Sequence, residues 1–274
     1  MILKKSLIIA AGLALLTACS NEAQPAKEEP AKEEATVVKE TPAETEEAAE
    51  APEEPAEVEE KAEEPQYTLN TANWGVEPIA DAPAEAVLIT IDDAPDKHAL
   101  EMAAKLKELN VPAIFFVNGH FLDTAEEKER LKTIHEMGFA IGNHTQTHAN
   151  LQGISEEQQE EEILAVSKTI EEIIGEKPKF FRAPNGSNTD FSRALVEKEG
   201  MLLMNWTYGY DWEKQYMNTA AITDIMVNTE FLRNGANLLM HDREWTAEAL
   251  PGIIEGLSKK GFTFVDPLEI EGVE

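Results

Sequence analysis

Two adjacent carboxylates, Asp92 and Asp93, close the apolar run Ala86-Val87-Leu88-Ile89-Thr90-Ile91 and are followed by Ala94-Pro95. An apolar run bounded by proline reads as a buried parallel strand, so its acids emerge at the strand's C-terminal end, where α/β enzymes keep their chemistry. Alone, the pair reads equally well as a cap on the helix that follows. The segment Asn143-His144-Thr145-Gln146-Thr147-His148 tips the balance. Imidazoles at i and i+4 fall on one side of a helical turn, and with Asp93 they make three ligands of borderline hardness. Such a set suits one divalent ion, Zn²⁺ first and Co²⁺, Ni²⁺ or Mn²⁺ next, and leaves coordination positions open as catalytic sites do. His98, His120 and His135 lie outside this pattern and read as structural or solvent-facing.

These residues must be positioned by elements the pattern also predicts. Strand-like runs at 86–92, 113–118, 139–143, 180–183, 201–206, 237–241 and 262–265 alternate with helix-like segments at 96–110, 125–137, 155–174, 190–199, 220–233 and 246–260. Ser155 with Gln158 marks a helix start, and Gly175 its stop. Seven strands alternating with helices predict an α/β fold, a parallel sheet curled into a distorted (β/α)7-8 barrel, with an open doubly wound sheet as the alternative. Residues 68–84 read as an irregular lead-in packed on the domain. In a barrel the strand C-termini share one face. Asp92-Asp93, His144 with His148, Arg182 to Gly186, Asp211-Trp212 and Leu239 to Asp242 are therefore expected to meet.

The N-terminal quarter is different. Residues 1–19 combine Lys4-Lys5, an apolar stretch and Leu16-Thr17-Ala18-Cys19, the parts of an export signal, too short for a confident membrane span. Leu-x-Ala-Cys resembles the bacterial lipobox, which implies lipidation at Cys19 and an exported protein anchored at the outer face of the cytoplasmic membrane. Cys19 is the chain's single cysteine, so no intramolecular disulfide is available. Residues 20–66 hold 17 Glu against 4 Lys and so carry −13 of the net −30. With little to bury and one dominant charge sign, they are expected to be a disordered tether. Residues 67–274 make one globular domain, also acidic, which argues against nucleic acid and polyanionic partners. A monomer is expected.

Five segments in order resemble the polysaccharide deacetylases of the NodB-homology group, carbohydrate esterase family 4. They are Thr90-Ile91-Asp92-Asp93-Ala94-Pro95, His144-Thr145-Gln146-Thr147-His148, Arg182-Ala183-Pro184-Asn185-Gly186, Asp211-Trp212 and Leu239-Met240-His241. The resemblance implies that Asp93, His144 and His148 hold the metal, and that Asp92 is the general base, oriented by Arg182. It implies that His241 is the general acid, tuned by Asp211, and that Trp212 and Leu239 wall an acetyl-methyl pocket. Pro184, Asn185 and Gly186 would border the substrate groove. The division suits the chemistry, since amide hydrolysis needs a base for water and a proton for the amine.

Three positions depart from the family pattern. Ala94 replaces the usual Gly, which would shift the loop if that position needs positive φ. Asn185 stands where Tyr is usual, and Tyr208 occupies the first acidic position of the fourth motif. The expected function is metal-dependent removal of N-acetyl groups from cell-envelope glycans, peptidoglycan or chitin-type N-acetylglucosamine oligomers. The alternative is an inactive lipoprotein of the same fold that binds wall glycan.

Overall fold

The computed structural model describes residues 64–273; the export signal, Cys19 and nearly all of the acidic stretch lie outside the described residues. Nine strands appear among them: β1 (Tyr67–Asn70), β2 (Gly75–Pro78), β3 (Ala86–Ala94), β4 (Ile114–Val117), β5 (Ala140–Asn143), β6 (Phe180–Phe181), β7 (Leu202–Leu203), β8 (Ala236–His241) and β9 (Thr263–Phe264). Six helices separate them: α1 (Ala99–Glu108), α2 (Ala125–Glu136), α3 (Glu156–Ile174), α4 (Asp190–Lys198), α5 (Thr219–Asn228) and α6 (Glu244–Lys259).

Strand β3 sits inside the sheet and sorts its side chains by alternation. Val87, Ile89 and Ile91 belong to the core that receives Ala99, Met102 and Leu106 of α1 and Leu250 and Ile253 of α6. Ala86 and Leu88 face the opposite way, into a second core with Phe116, Phe180 and Met204. Full burial of each large apolar side chain contributes about 1.5–3 kcal/mol. Along that inner row the next residues are Thr90 and Asp92, both buried and polar. The interior thus changes from apolar to polar toward the strand's C-terminal end.

All ladders of the large sheet are parallel, in the order β7-β6-β5-β4-β3-β8, with β9 pairing the start of β3. Among the described residues no eighth strand completes it. Instead the segment after β7 reaches β8 through one parallel bridge, Tyr208 with Leu238, and the Leu239 N–H donates to the Tyr208 carbonyl at 2.8 Å. The result is the distorted (β/α) barrel expected from the sequence, with its weak seam between β7 and β8.

Two local signals act as read. Ser155 and Gln158 form a reciprocal capping box at the start of α3, and Gly175 ends it in the left-handed region at φ 84°. The expected irregular lead-in is instead an antiparallel hairpin, β1 with β2, held to the barrel where the Val76 N–H donates to Gly235 O at 2.8 Å. Its turn, Thr71-Ala72-Asn73-Trp74, lacks the Asn-Gly or Asp-Gly doublet that announces tight hairpins, and places Trp74 at φ 59°.

Candidate active site

The geometry begins with an irregularity in β3. Its register against β4 slips between Ile91 and Ala94, and Asp93 takes φ 61°. Consecutive residues of a regular strand point to opposite faces. The bulge cancels that alternation and brings both carboxylates to one place. Asp92 Oδ2 lies 3.5 Å from His144 Nε2, and Asp93 Oδ1 lies 4.0 Å from the same nitrogen and 3.5 Å from His148 Nε2. Asp is among the residues that tolerate the left-handed region. Ala94 does not need it: it resumes the ladder opposite Val117 and its methyl group is fully buried. The condition under which replacing the family's usual Gly would shift the loop, positive φ at this position, is therefore not met.

The histidines are brought together by a different device from the one expected. Residues 144–148 form no helical turn; they are a loop in which Thr145 (φ 71°) and His148 (φ 60°) are left-handed. Side-chain hydrogen bonds substitute for regular structure. Asn143 Oδ1 accepts from the Thr145 N–H at 2.8 Å, and Asn118 Nδ2 donates to the carbonyls of His144 and Thr145. From α3, Glu162 accepts from the Thr147 N–H at 2.8 Å and its hydroxyl at 2.6 Å. His144 Nδ1 donates to the Arg182 carbonyl at 2.7 Å, which leaves Nε2 to present its lone pair inward. Burial pushes this imidazole below its ordinary value, against the pull of Asp92 and Asp93, and so favours the neutral form that ligates.

Asp93, His144 and His148 offer ligand atoms all within 4.8 Å of one another. This donor set, two imidazoles and one carboxylate, fits a divalent ion of the zinc type. Burial alone would raise the Asp93 carboxyl, but His241, His144, His148 and Arg243 outweigh it and hold it below the ordinary carboxylate value.

Behind the trio lies a buried polar core. Arg182, fully buried, donates from Nη1 to Asp92 Oδ1 at 2.7 Å and to Thr90 Oγ1 at 2.8 Å, and from Nη2 to Asn205 O at 2.8 Å. Its guanidinium lies 4.2 Å above the Phe116 ring. Asn237 donates to the same Asn205 carbonyl at 3.0 Å, completing the cradle. With Oδ1 so occupied, Asp92 turns Oδ2 toward the cleft.

On the far side stands His241. Asp211 accepts from its ring Nδ1, and burial would lower the imidazole's pKa, but Asp211, then Asp92 and Asp93, raise it above its ordinary value. Trp212 stands edge-on to His241, ring centroids 5.4 Å apart, and is 45% exposed. Gly209 makes this possible: a Cβ there would stand 2.4 Å from Leu239 O and 2.9 Å from the Trp212 ring.

These groups enclose a cleft of about 390 Å³, walled by Asn185, Trp206, Trp212 and Leu239, with Arg243 at its rim. Asp92, Asp93, His144, His148 and His241 all face it. Arg182 and Asp211 stand behind it, fully buried. Pro184 and Gly186 do not line it: Pro184 is buried, and Gly186 (φ 65°) lies behind Trp206, so they shape the turn that presents Asn185. A larger hollow of about 830 Å³ opens beside Trp74, Lys179 and Met201, before β6 and β7 begin, and gathers no comparable set. Thr90, Asn237, Trp206 and Arg243 are the residues that sequence reasoning missed. Thr90 carried a signal, being polar inside an apolar run and two residues from Asp92, hence on the same face.

A family model described as polysaccharide deacetylase matches residues 80–204. A peptidoglycan-N-acetylglucosamine deacetylase of Bacillus cereus is 30% identical over 184 residues, 64% of this chain and 67% of that one. The chain belongs to the polysaccharide deacetylase family. It spans about two thirds of several curated relatives, 66% of another Bacillus cereus peptidoglycan-N-acetylglucosamine deacetylase, for example. Among solved polysaccharide deacetylases, the peptidoglycan deacetylase PdaC of Bacillus subtilis is similar at 27% identity with a TM-score of 0.61, over 69% of this chain and 92% of that one. A CE4-family pseudoenzyme from Bacillus anthracis is similar at 26% identity and TM-score 0.60, over 66% of this chain and 63% of that one.

Proposed function

We propose that this protein is a metal-dependent hydrolase that removes N-acetyl groups from cell-envelope glycans, with the N-acetylglucosamine of peptidoglycan as its substrate. One observation carries the reading. The two-imidazole, one-carboxylate trio shares a cleft with a second carboxylate and with an imidazole backed by its own acid. The relatives named above as peptidoglycan deacetylases point to the substrate.

The chemistry a divalent ion supplies when bound by Asp93, His144 and His148 is Lewis acidity toward a carbonyl oxygen and acidification of water. Asp92 accepts the proton of the attacking water on Oδ2 while Arg182 holds Oδ1. His241, whose pKa the neighbouring Asp211 carboxylate raises, donates a proton to the departing amine nitrogen. Water thus adds across the amide, and acetate and a free amino sugar leave. Leu239 and Trp212 give the acetyl methyl group an apolar wall. Zn²⁺ is the ion of choice for this donor set. The lipobox-like Cys19 and the acidic stretch after it support an exported enzyme, lipid-anchored outside the cytoplasmic membrane and reaching the wall on a tether.

The test is acetate release by the purified protein with Zn²⁺ or Co²⁺ from N-acetylglucosamine oligomers and from peptidoglycan. Release from peptidoglycan supports the reading. Binding to glycan with no acetate from any of these substrates, metal being bound, would replace it by an inactive wall-binding role.

A further inference from the structure

The two adjacent aspartates each have an arginine of their own. Arg182 serves Asp92 from inside the barrel, and Arg243 serves Asp93 from the cleft's rim: Nη2 donates to Asp93 Oδ2 at 2.7 Å. The oxygen that Arg243 takes is the one the histidines leave. His144 and His148 face Oδ1, at 4.0 and 3.5 Å. Arginine and imidazoles therefore do not compete for the carboxylate; they divide it.

Asp242 is held to β3 and α1, and it in turn holds Arg243. The Asp242 N–H donates to the Asp92 carbonyl at 3.0 Å, which extends the β3–β8 ladder one step beyond His241. The Asp242 carboxylate accepts from the N–H groups of His98 at 2.6 Å and Ala99 at 3.0 Å, at the start of α1. Arg243 Nη1 then donates to the Asp242 carbonyl at 3.0 Å. Arg243 also opens α6, yet supplies that helix no side-chain cap, so its side chain is committed to the site and not to the helix. It is 37% exposed.

We propose that Arg243 is a positioning residue for the metal: by occupying Asp93 Oδ2 it aims Oδ1 at the ion and keeps this ligand single-toothed. Two effects oppose each other. A cation near a divalent ion repels it, whereas a carboxylate held in place by an outer partner binds it better. Partial exposure weakens the repulsion, and loss of such outer partners costs roughly 10–100-fold in affinity. Orientation therefore wins. The inference rests on Asp93 being a ligand.

Zn²⁺ calorimetry and the visible spectrum of the Co²⁺-loaded protein test it on the intact chain and on R243A, R243K and D93A. R243A is expected to bind Zn²⁺ roughly 10–100-fold more weakly, with an altered Co²⁺ spectrum as Oδ2 becomes free to coordinate; R243K, which restores one donor, regains part of both. Unchanged or tighter Zn²⁺ binding by R243A, or an unchanged Co²⁺ spectrum, overturns the inference. D93A separates the two readings. If D93A loses the metal and R243A does not, only the role of Arg243 falls; if neither loses it, the metal site itself falls.

Discussion

Asp211 grips His241 twice, accepting from the imidazole Nδ1 on Oδ1 at 2.7 Å and from the His241 backbone N–H on Oδ2 at 2.6 Å. Thr246 Oγ1 donates to the same Oδ2 at 2.8 Å, so the carboxylate has no freedom to turn away. The raised pKa of His241 is thus built into the strand end rather than borrowed from a mobile partner. For a general acid the active form is protonated, so activity should be lost as pH rises through this pKa. Asp211→Asn removes the charge and should move the alkaline limb of the kcat/KM profile to lower pH. An alkaline limb that stays in place in the variant would show that His241 is not the group being titrated.

The proposed roles give the neighbours Asp92 and Asp93 different tasks, and their variants should separate. Asp93→Ala is expected to lose the metal. Asp92→Asn is expected to keep it and lose turnover by about 10²–10⁴-fold, the usual contribution of a general base. Metal content and acetate release measured on the same samples decide; equal metal loss in both variants would mean the roles are misassigned.

Arg182 and Asp92 form an ion pair with almost no exposure, side chains 0% and 3% accessible. Removing one partner leaves the other charged and buried, which costs about 3–5 kcal/mol. Arg182→Met should accordingly lower the denaturant midpoint by a corresponding amount. A stability loss below 1 kcal/mol would indicate that water enters the cradle.

Gly209 is predicted to be intolerant for a steric reason, because a methyl group would lie 2.4 Å from the Leu239 backbone carbonyl. Backbone cannot rotate aside as a side chain can, so Gly209→Ala should destabilise by about 1–3 kcal/mol and displace Trp212. Intrinsic fluorescence and urea unfolding read the two effects; wild-type values for both would mean the segment after β7 is free to move.

The alternation of seven strands and six helices was legible because buried parallel strands and amphipathic helices leave different periods, and because Ser155, Gln158 and Gly175 punctuate α3 in the usual way. Asp92, Asp93, His144, His148 and His241 were legible as polar groups at strand ends. How they meet was not. The bulge at Asp93 and the left-handed Thr145 and His148 are backbone states that no hydrophobic pattern records, so the histidine loop reads from spacing as a helical turn. Arg243 and Asn237 were invisible for another reason: their partners lie 150 and 147 residues away, at Asp93 and Thr90.

Arg182 meets the site with both halves of itself. Its backbone carbonyl steers the His144 ring, and its side chain anchors Asp92. The imidazole of His144 and the carboxylate of Asp92 are consequently spaced through a single amino acid, its main chain at one end and its guanidinium at the other.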